Sequence, residues 1–491
     1  MGFTFGILCG IVRVLIKGES FRTIVFTKSL NVSISSREHC IGLDSMMKNG
    51  DMKKVVNAQP TIALLPWGDV WEDFFSTIGV DFPSFCEEVT GGWQFGFIEA
   101  LKLYGVRTVM FYTSTEFNQV SRFVHQPTGS TICVLPVPRS YRAIRRHMIH
   151  SYPSMAYWGS LKDLFGDVKG SRRFLFSILR QVAPYLTTSL RLLARELRRE
   201  GCSSIFCQEY EYARFDQCVL LGKMLRLPVF ATFQGGSAEC NRIGRFLRPM
   251  TIRMASGLAI GSQAEINRVK ERYHLNPGKI SRIFNPVDLR MWEPVDRNQA
   301  RDKLGIPKDA EVVIWHGRVH VEEKGLDVLL DAWKEVCAKR PGRNLRLLLM
   351  GSAEHTETLR ERIAEMQVKN ILWIDRYVND REVMRDFLYT GDVFAFPSRY
   401  EGFPVSPLEA MACGLPVVAA DASGVPDIFE KGEESGGIVV PRNDVRSFGD
   451  ALGRLLDDPS MRREMGQRAR RRIEDSFSLE VVGKRLSELL V

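Results

Sequence analysis

The feature that most constrains the fold is a regular alternation, from Ala58 onward, of short apolar runs with longer amphipathic stretches. This alternation is typical of strand–helix–strand units, in which helices cover both faces of a parallel sheet. It occurs twice, on either side of a stretch at residues 276–294 that contains Pro and Asn. The chain is therefore predicted to be an α/β protein with two doubly wound domains joined by that linker.

The apolar runs give two sets of predicted strands. The first set is residues 61–65, 108–112, 204–207, 229–233 and, as its last, 258–260. The second set is residues 312–315, 345–350, 371–374, 393–396, 416–419 and 437–440, and helices at 460–477 and 480–490 end the chain. Ligands of such folds bind at the carboxyl ends of the strands, so the loops that follow them are the candidate sites.

The composition restricts the class of protein. The chain has 491 residues, of which 45% are apolar and 25% charged, as in globular proteins of two or three domains. No apolar run reaches the roughly 18 to 20 residues of a membrane-spanning helix. The ten cysteines are scattered, without a Cys-x-x-Cys pair, which predicts unpaired thiols in a reducing compartment and a cytoplasmic location.

The first 57 residues are predicted to be an N-terminal extension. Residues 1–37 carry five basic residues and one acid, Glu19, a composition that weakly resembles an organelle transit segment. Import into an organelle is one alternative for this segment. The other is that the folded protein begins near Met46, Met47 or Met52 and that residues 1–57 are disordered.

Residues 139–199 form a basic segment, with thirteen Lys and Arg against three acids. Within it Phe174, Leu175 and Ile178 follow helical spacing beside Arg172 and Arg173. An anionic lipid surface, a nucleic acid and a core-packing helix with a solvated basic face are all compatible with this pattern. The Arg-rich run 468–472 is expected to be solvated.

The most specific motif is Glu401-Gly-Phe-Pro-Val-Ser-Pro-Leu-Glu409, with two glutamates separated by seven residues. It predicts a loop that enters a helix near Ser406, with Pro407 in the first turn, where its missing N–H is harmless. Backbone N–H groups at that point can face an anion. The two carboxylates can accept hydrogen bonds from hydroxyl groups of a sugar and of a ribose.

A second motif runs from Trp315 to Gly325 and places Arg318 and Lys324 on the loop after a predicted strand. Two cations at such a loop can neutralise a diphosphate as leaving-group charge develops. His316 and His320 lie in the same motif, but on a strand and loop rather than a helix. No metal site is therefore predicted from them.

With these two motifs, the chain from about residue 60 onward resembles the family 4 retaining glycosyltransferases. The resemblance implies the GT-B fold, in which two Rossmann-like domains face each other across a deep cleft. The domains would be 58–285 on the acceptor side and 286–475 on the nucleotide-sugar side, with a C-terminal helix, 476–491, packed back on the first. It also implies a nucleoside-diphosphate sugar as donor substrate, without a cofactor or a metal ion.

The resemblance implies roles for single residues. Arg318 and Lys324 would clamp the diphosphate, Glu401 would contact the transferred sugar, and Glu409 would bind the ribose. Arg318, Lys324 and Glu401 are the candidate catalytic residues. The backbone that holds sugar hydroxyls and the terminal phosphate would be that of Gly402, Phe403, Pro404 and Val405.

Three further residues are candidate donor-binding positions on the first domain. Gly91 and Gly92 precede a predicted helix at 95–103, and a glycine turn lets the backbone approach a phosphate closely. Gln234 stands, ahead of Gly235-Gly236-Ser237, where many members of the family have a histidine. Its amide can hydrogen-bond but cannot shuttle a proton. The turn Asn285-Pro-Val-Asp288 resembles the interdomain turn of the family and is interpreted as structural.

The predicted function is a metal-independent, retaining transfer of a hexosyl unit from a nucleoside-diphosphate sugar to a hydroxyl acceptor. The acceptor can be a polysaccharide, a lipid or a small molecule, and an anionic membrane surface is a candidate partner. One alternative is a GT-B epimerase or hydrolase that acts on the nucleotide sugar without an acceptor. A membrane-binding or nucleic-acid-binding module based on residues 139–199 is the other, and the intact motifs argue against it as the main role.

Overall fold

Two sheets organise the part of the chain that the computed structural model describes, which is residues 59–66, 70–75, 79–149, 161–235, 241–353, 355–366 and 370–491. The predicted extension at residues 1–57 lies outside these ranges. The described residues from Pro60 to Val491 belong to one unit.

The first sheet and its helices form the N-terminal lobe. Its strands are β1 (Thr61–Leu65), β2 (Arg107–Ser114), β3 (Ser121–His125), β4 (Ser130–Pro136), β5 (Ser204–Gln208), β6 (Val229–Thr232), β7 (Gly257–Ile260) and β8 (Ile280–Arg282). They lie in the order β3-β4-β2-β1-β5-β6-β7-β8, and each neighbouring pair is parallel except β3 with β4. The helices include Glu72–Phe75, Phe82–Glu87, Trp93–Leu103, Arg139–Arg145, Leu161–Phe165, Ser171–Val182, Leu190–Arg199, Ala213–Leu225, Arg242–Met254 and Gln263–Tyr273.

The second sheet and its helices form the C-terminal lobe. Its strands are β9 (Glu311–His316), β10 (Leu345–Met350), β11 (Ile371–Ile374), β12 (Val393–Phe396), β13 (Val417–Ala420) and β14 (Gly437–Val440). They are all parallel, in the order β11-β10-β9-β12-β13-β14. The helices include Arg297–Lys303, Leu326–Ala338, Thr356–Glu365, Arg381–Thr390, Ser406–Ala412, Val425–Ile428, Val445–Asp457, Pro459–Ser476 and Leu479–Leu490.

The central strands are buried on both faces, which is why they read as continuous apolar runs rather than as alternating ones. Every residue of β1 and every residue of β12 is buried. Large apolar side chains fill the space between sheet and helices, among them Trp315 and Trp333 in the C-terminal lobe and Phe206 and Phe215 in the N-terminal lobe. The two doubly wound domains predicted from the sequence are therefore present.

Strand order reverses at one point in each sheet, between β1 and β5 in the first and between β9 and β12 in the second. Loops at such a switch point diverge to opposite sides and leave a crevice at the carboxyl edge of the sheet. The loop after β9 carries Arg318, and the loop after β12 carries Glu401. The topology thus brings the two most informative sequence motifs to one crevice.

The structure differs from the sequence prediction in the first sheet. The strand at 258–260 is not the last one, because β8 follows it from within the predicted linker and pairs with β7 through Leu258 and Ile280. The hairpin β3–β4 is also absent from the prediction. Its outer strand is mostly half-buried, which leaves only a weak apolar signal.

The C-terminal helix Leu479–Leu490 lies against helix Trp93–Leu103 of the N-terminal lobe. The Tyr104 hydroxyl donates to the carbonyl of Glu480 at 2.9 Å. A Cβ atom on Gly483 would stand 2.5 Å from the Ala100 carbonyl oxygen, so glycine permits this close approach. The last helix therefore joins the end of the chain to the first lobe.

The prediction that the run 468–472 is solvated is wrong for two of its arginines. Arg470 donates to the carbonyls of Trp292 and Ala412, and Arg472 donates to the carbonyls of Ile428 and Asp427. Both bind backbone groups that helices and turns leave unpaired. Among the described residues, no helix is both long and apolar enough to cross a membrane.

Candidate active site

The two lobes enclose a cavity of about 650 Å³. The N-terminal wall includes the glycine turn at Gly91 and Gly92 and the ends of β5 and β6, with Glu209 and Gln234. The C-terminal wall contains His316, Arg318, His320, Glu323, Tyr377, Arg381, Val405 and Glu409. Several candidate residues from both lobes therefore line one cavity.

Lys324 and Glu401 form an ion pair close to the C-terminal wall, next in the chain to Glu323, although neither is among the described residues that line the cavity. Lys324 Nζ lies 2.8 Å from Glu401 Oε1, although the two residues are 77 positions apart. Both side chains are largely buried, with 18% and 13% of their surfaces exposed. Gly325 makes the local turn, since its φ of +63° is left-handed and a Cβ there would meet the Pro397 carbonyl oxygen at 2.1 Å.

Arg318 is the second cation of this wall. Its guanidinium donates to Glu323 Oε2 at 2.7 Å, and about a third of each side chain is exposed. Because an exposed pair of this kind contributes little stability, a diphosphate can displace Glu323 at small cost. Arg318 is thus available to an anion in the cavity.

Glu409 lies on the short helix Ser406–Ala412, with Pro407 in the first turn, as the motif predicted. Its Oε2 is 3.5 Å from His316 Nε2. Burial raises the pKa of Glu409 to about 7, and Arg381 offsets only part of this effect. Burial lowers the pKa of His316 to about 4, so the imidazole is neutral at pH 7 and the contact is not an ion pair.

The glycine turn lies against the C-terminal lobe. Thr90 Oγ1 donates to the Asn379 carbonyl at 3.4 Å, and Arg381 donates to the Thr90 carbonyl. Gly91 follows directly and approaches the Tyr377 hydroxyl, which would lie 3.6 Å from a Cβ at that position. Gly92 caps helix Trp93–Leu103 with a φ of +114°, a conformation that L side chains rarely adopt.

Gln234 is held in place by a reciprocal amide pair. Its Nε2 donates to Asn285 Oδ1 at 3.0 Å, and Asn285 Nδ2 donates back to Gln234 Oε1 at 2.8 Å. Asn285 Nδ2 also donates to the Phe403 carbonyl at 3.0 Å. The Asn285 turn therefore links Gln234 of one lobe to the candidate donor loop of the other. Gly236 and Ser237, which follow Gln234 and Gly235, lie outside the described residues.

The loop at 402–405 is built from backbone rather than from polar side chains. Gly402 packs against the other lobe, where a Cβ on it would meet the Cα of Gly235 at 2.2 Å. The Phe403 ring stacks on Phe284 at 5.1 Å and lies in the core. Pro404 is buried, and Val405 lines the cavity. Of this loop, Val405 is therefore the described residue that lines the cavity.

Sequence reasoning missed several residues of the cavity, including Gln208 at the end of β5. His316 was considered only as a metal ligand, although its position beside Gly317 and Arg318 could have indicated it. Tyr377 and Arg381 follow β11 without a motif, and Glu209 follows β5 without one. Within the described ranges, no group of three or more His, Cys, Asp or Glu side chains could hold a metal ion.

A family model agrees with the second lobe. Residues 296–472 match the model described as Glycosyl transferases group 1. The matched region contains Arg318, Lys324, Glu401 and Glu409, so the four side chains implied by the resemblance all lie within it.

Two curated relatives match a longer segment of the chain than the family model does. A GDP-mannose-dependent monoacylated alpha-(1-6)-phosphatidylinositol monomannoside mannosyltransferase of Corynebacterium glutamicum is 33% identical over 239 residues, which is 47% of this chain and 60% of the relative. A D-inositol 3-phosphate glycosyltransferase of Kineococcus radiotolerans is 32% identical over 237 residues, or 45% of this chain and 54% of the relative. The match thus spans little more than half the length of these relatives.

Solved structures match both lobes together. Sucrose-phosphate synthase of Thermosynechococcus elongatus superposes with a TM-score of 0.61 at 19% identity, covering 88% of this chain and 98% of the other. Anabaena HepE in complex with UDP gives a TM-score of 0.62 at 16% identity, with coverage of 88% and 99%. At this identity the likeness concerns the fold, and the chain has the GT-B fold.

Proposed function

We propose that this protein transfers a hexosyl unit from a nucleoside-diphosphate sugar to a hydroxyl acceptor, with retention of anomeric configuration and without a metal ion. One observation carries the proposal: Arg318, Glu409 and the turn Gly91-Gly92 line a single cavity between the lobes, beside the pair Lys324–Glu401. That cavity combines cations for a diphosphate with carboxylates for hydroxyl groups.

The proposed chemistry assigns each group a task. Arg318 and Lys324 stabilise the charge that develops on the departing diphosphate. The bond between the anomeric carbon and the phosphate oxygen breaks, a bond to the acceptor oxygen forms on the same face, and the acceptor proton passes to the leaving phosphate. Glu401 orients the sugar, Glu409 accepts from the ribose hydroxyls, and Gln234 borders the site from the opposite lobe.

Contacts between the lobes support transfer over hydrolysis. The contacts of Thr90 with Asn379 and Arg381, and of Gly235 with Gly402, hold the walls of the cavity together. The cavity is partly open to solvent, and closure of the lobes on the bound donor would limit the access of water to the activated sugar. A GT-B hydrolase or epimerase remains the alternative, and it would form product from the donor without any acceptor.

The relatives suggest the first substrates to test. GDP-mannose appears in the name of one relative, and D-inositol 3-phosphate in the name of the other. Both names contain an inositol derivative, and one of them also contains a sugar donor. We therefore propose GDP-mannose as the first donor and D-inositol 3-phosphate as the first acceptor.

The donor site is tested by thermal shift with GDP, UDP, ADP and their common sugars. One nucleotide is expected to raise the Tm of the wild type and to lose most of this effect in Glu409→Ala, because the ribose loses its acceptor. Glu464→Ala is the matched control, since this glutamate is exposed on the same lobe and should leave the shift intact. No shift with any nucleotide would contradict the proposed function.

A peripheral membrane location is proposed as well, from the surface of the N-terminal lobe. On helix Ser171–Val182 the side chains of Phe174, Leu175 and Ile178 are 75%, 51% and 45% exposed, so this helix does not bury them in the core. The adjoining helix Arg242–Met254 contacts its end through Asn241 and Gln181 and exposes Phe246 by 66%. Apolar side chains amid Arg residues suit an anionic lipid surface.

The membrane proposal is tested by sedimentation with phosphatidylcholine vesicles that do or do not contain phosphatidylglycerol. The wild type is expected to bind the anionic vesicles more strongly and to be released by salt. The double variant Phe174→Ser/Phe246→Ser should bind about tenfold more weakly or worse, given the apolar surface lost. Val124→Ser, an exposed apolar residue of β3, is the control; binding that ignores lipid charge would refute the proposal.

A further inference from the structure

The end of β5 places two polar side chains at the switch point of the first sheet. Gln208 is the last residue of β5, and Glu209 follows it; both line the cavity and are buried, with 6% and 2% of their surfaces exposed. Glu209 occupies the position in the N-terminal sheet that corresponds to the loop of Glu401 in the other sheet, after the strand beyond the switch point. This is where open α/β sheets bind ligands.

Glu209 is held there at a conformational cost. Its φ is +50°, in the left-handed region that a glutamate rarely adopts and that strains its backbone. The backbone is fixed by the Glu209 N–H, which donates to the Thr232 carbonyl at 2.9 Å. Glu209 Oε1 accepts from the N–H of Gln234 at 2.5 Å, so one carboxylate oxygen is oriented by the neighbouring strand end.

The residues that follow anchor this loop from the side away from the cavity. Tyr210 is fully buried and stacks on Phe233 at 5.9 Å. Glu211 accepts from Arg268 at 2.7 Å. Because both neighbours are fixed in the lobe, the strained turn presents Glu209 to the cavity as a preorganised group.

Gln208 adds a second, independent sign of a ligand. Its Oε1 is buried and has no hydrogen-bond partner within the part of the chain that the structure describes. A buried amide oxygen without a donor carries an uncompensated desolvation cost, and a hydrogen bond from a ligand hydroxyl would offset it. Gln208 and Glu209 therefore offer two adjacent acceptors to O–H donors.

The chemistry of this wall differs from that of the opposite wall. Of the described residues that line the cavity on the N-terminal side, Glu209 is the acid and none is Arg or Lys. A carboxylate repels a diphosphate and binds hydroxyl groups. Arg318, by contrast, lies on the C-terminal side. The N-terminal wall thus suits the uncharged, hydroxyl-bearing part of an acceptor rather than the donor phosphates.

We infer that Gln208 and Glu209 form an acceptor subsite that binds vicinal hydroxyl groups of a polyol, such as a cyclitol ring or a sugar. This inference rests on the proposed transferase activity and extends it to the other lobe. Glu209 aligns the attacking hydroxyl without taking its proton, which passes to the leaving phosphate. The subsite therefore governs how much donor reacts with a polyol and how much with water.

The test uses the full chain, the donor identified by thermal shift, and myo-inositol as probe. Transfer to inositol and release of free sugar are measured together as a partition ratio. Glu209→Gln keeps an oxygen for the Gln234 N–H and removes the charge. It is expected to lower the partition ratio at least tenfold while the thermal shift by the nucleotide stays unchanged.

Two further variants separate a binding role from a structural one. Asparagine adopts the left-handed backbone conformation readily, so Glu209→Asn should keep the turn but lower the partition ratio. If the role of Glu209 were only structural, this variant would keep the wild-type partition ratio. Glu271→Gln makes the same carboxylate-to-amide change at an exposed position of helix Gln263–Tyr273, on the same lobe and outside the cavity lining, and should leave the partition ratio unchanged. A wild type that does not prefer inositol to water, or a Glu209→Gln partition equal to wild type, would overturn the subsite. A wild type that binds no nucleotide would overturn the proposed function first.

Discussion

Replacement of Lys324 by alanine is expected to lower kcat by about two to three orders of magnitude, the usual effect of removing one group that stabilises leaving-group charge. The Lys324 ammonium forms an ion pair with the Glu401 carboxylate, and both side chains are mostly buried. Its removal leaves the Glu401 carboxylate unpaired next to the incoming diphosphate, so repulsion adds to the lost stabilisation. Steady-state rates at saturating donor and acceptor measure this effect.

A double-mutant cycle tests whether the pair acts as a unit. If it does, Lys324→Ala/Glu401→Gln loses about as much activity as the worse single variant, and the two effects do not add. Lys339→Ala is the matched control, because Lys339 forms an ion pair of the same 2.8 Å length with Asp450 on the exposed surface of the same lobe. A wild-type rate for Lys324→Ala would remove Lys324 from the proposed machinery.

Much of the fold could be read from the sequence because the strands are buried on both faces. The bounds of β10 and β12 agree with the predicted ones, since an apolar run flanked by polar residues marks a buried strand. The bounds of the edge strand β11 also agree, because its four residues are all apolar, although the strand is only partly buried. A short strand with polar residues gives no such signal. β8 has three half-buried residues, and it becomes a strand only because β7 offers it an open edge.

The candidate site could be read only in part. The motifs that contain Arg318 and Glu401 can be recognised in the sequence, because their residue types and spacing are unusual. The reciprocal pair of Gln234 and Asn285 depends on a contact between residues 51 positions apart, which spacing does not reveal. Glu209 is a polar residue after a strand, and its significance comes from a backbone conformation and a topology that only the structure supplies.

The basic segment shows the same distinction. Helical spacing of Phe174 and Ile178 predicts an amphipathic helix, and the helix is present at Ser171–Val182. Periodicity does not say whether the apolar face meets the core or the solvent. The next helix, Leu190–Arg199, buries Leu193 and Leu197. Helix Ser171–Val182 instead packs Phe176 and Leu179 against buried residues of the lobe and exposes Phe174, Leu175 and Ile178. Tertiary packing decides between the two alternatives.

Donor binding is expected to weaken about tenfold for each pH unit below 7 because of Glu409. Its pKa is raised to about 7 by burial, so below this pH the side chain carries a proton and loses acceptor capacity for the ribose hydroxyls. An intact nucleotide sugar should be used as ligand, since a free terminal phosphate titrates near pH 6 and would obscure the effect. His316 stays neutral throughout, because its pKa is about 4.

The same carboxyl should make the empty protein less stable as the pH rises. Its pKa in the unfolded chain is near the ordinary 4.5, so the stabilisation by the protonated form is complete below pH 4.5 and is lost as the pH passes through about 7. The full shift corresponds to about 3 kcal/mol, and the cavity hydrates part of the side chain, which reduces the expected loss to about 1 to 2 kcal/mol.

Glu409→Gln removes this titration and tests both effects in one variant. The free energy of unfolding of the variant minus that of the wild type should be about 1 to 2 kcal/mol larger at pH 8 than at pH 5. The variant thus becomes more stable relative to wild type as the pH rises, because a buried amide does not ionise. Its donor affinity should be weak and independent of pH between 6 and 8. Denaturant unfolding and calorimetric titration with the nucleotide sugar measure the two quantities. Equal pH dependence of binding in variant and wild type would assign the titration to another group and exclude Glu409 as the ribose acceptor.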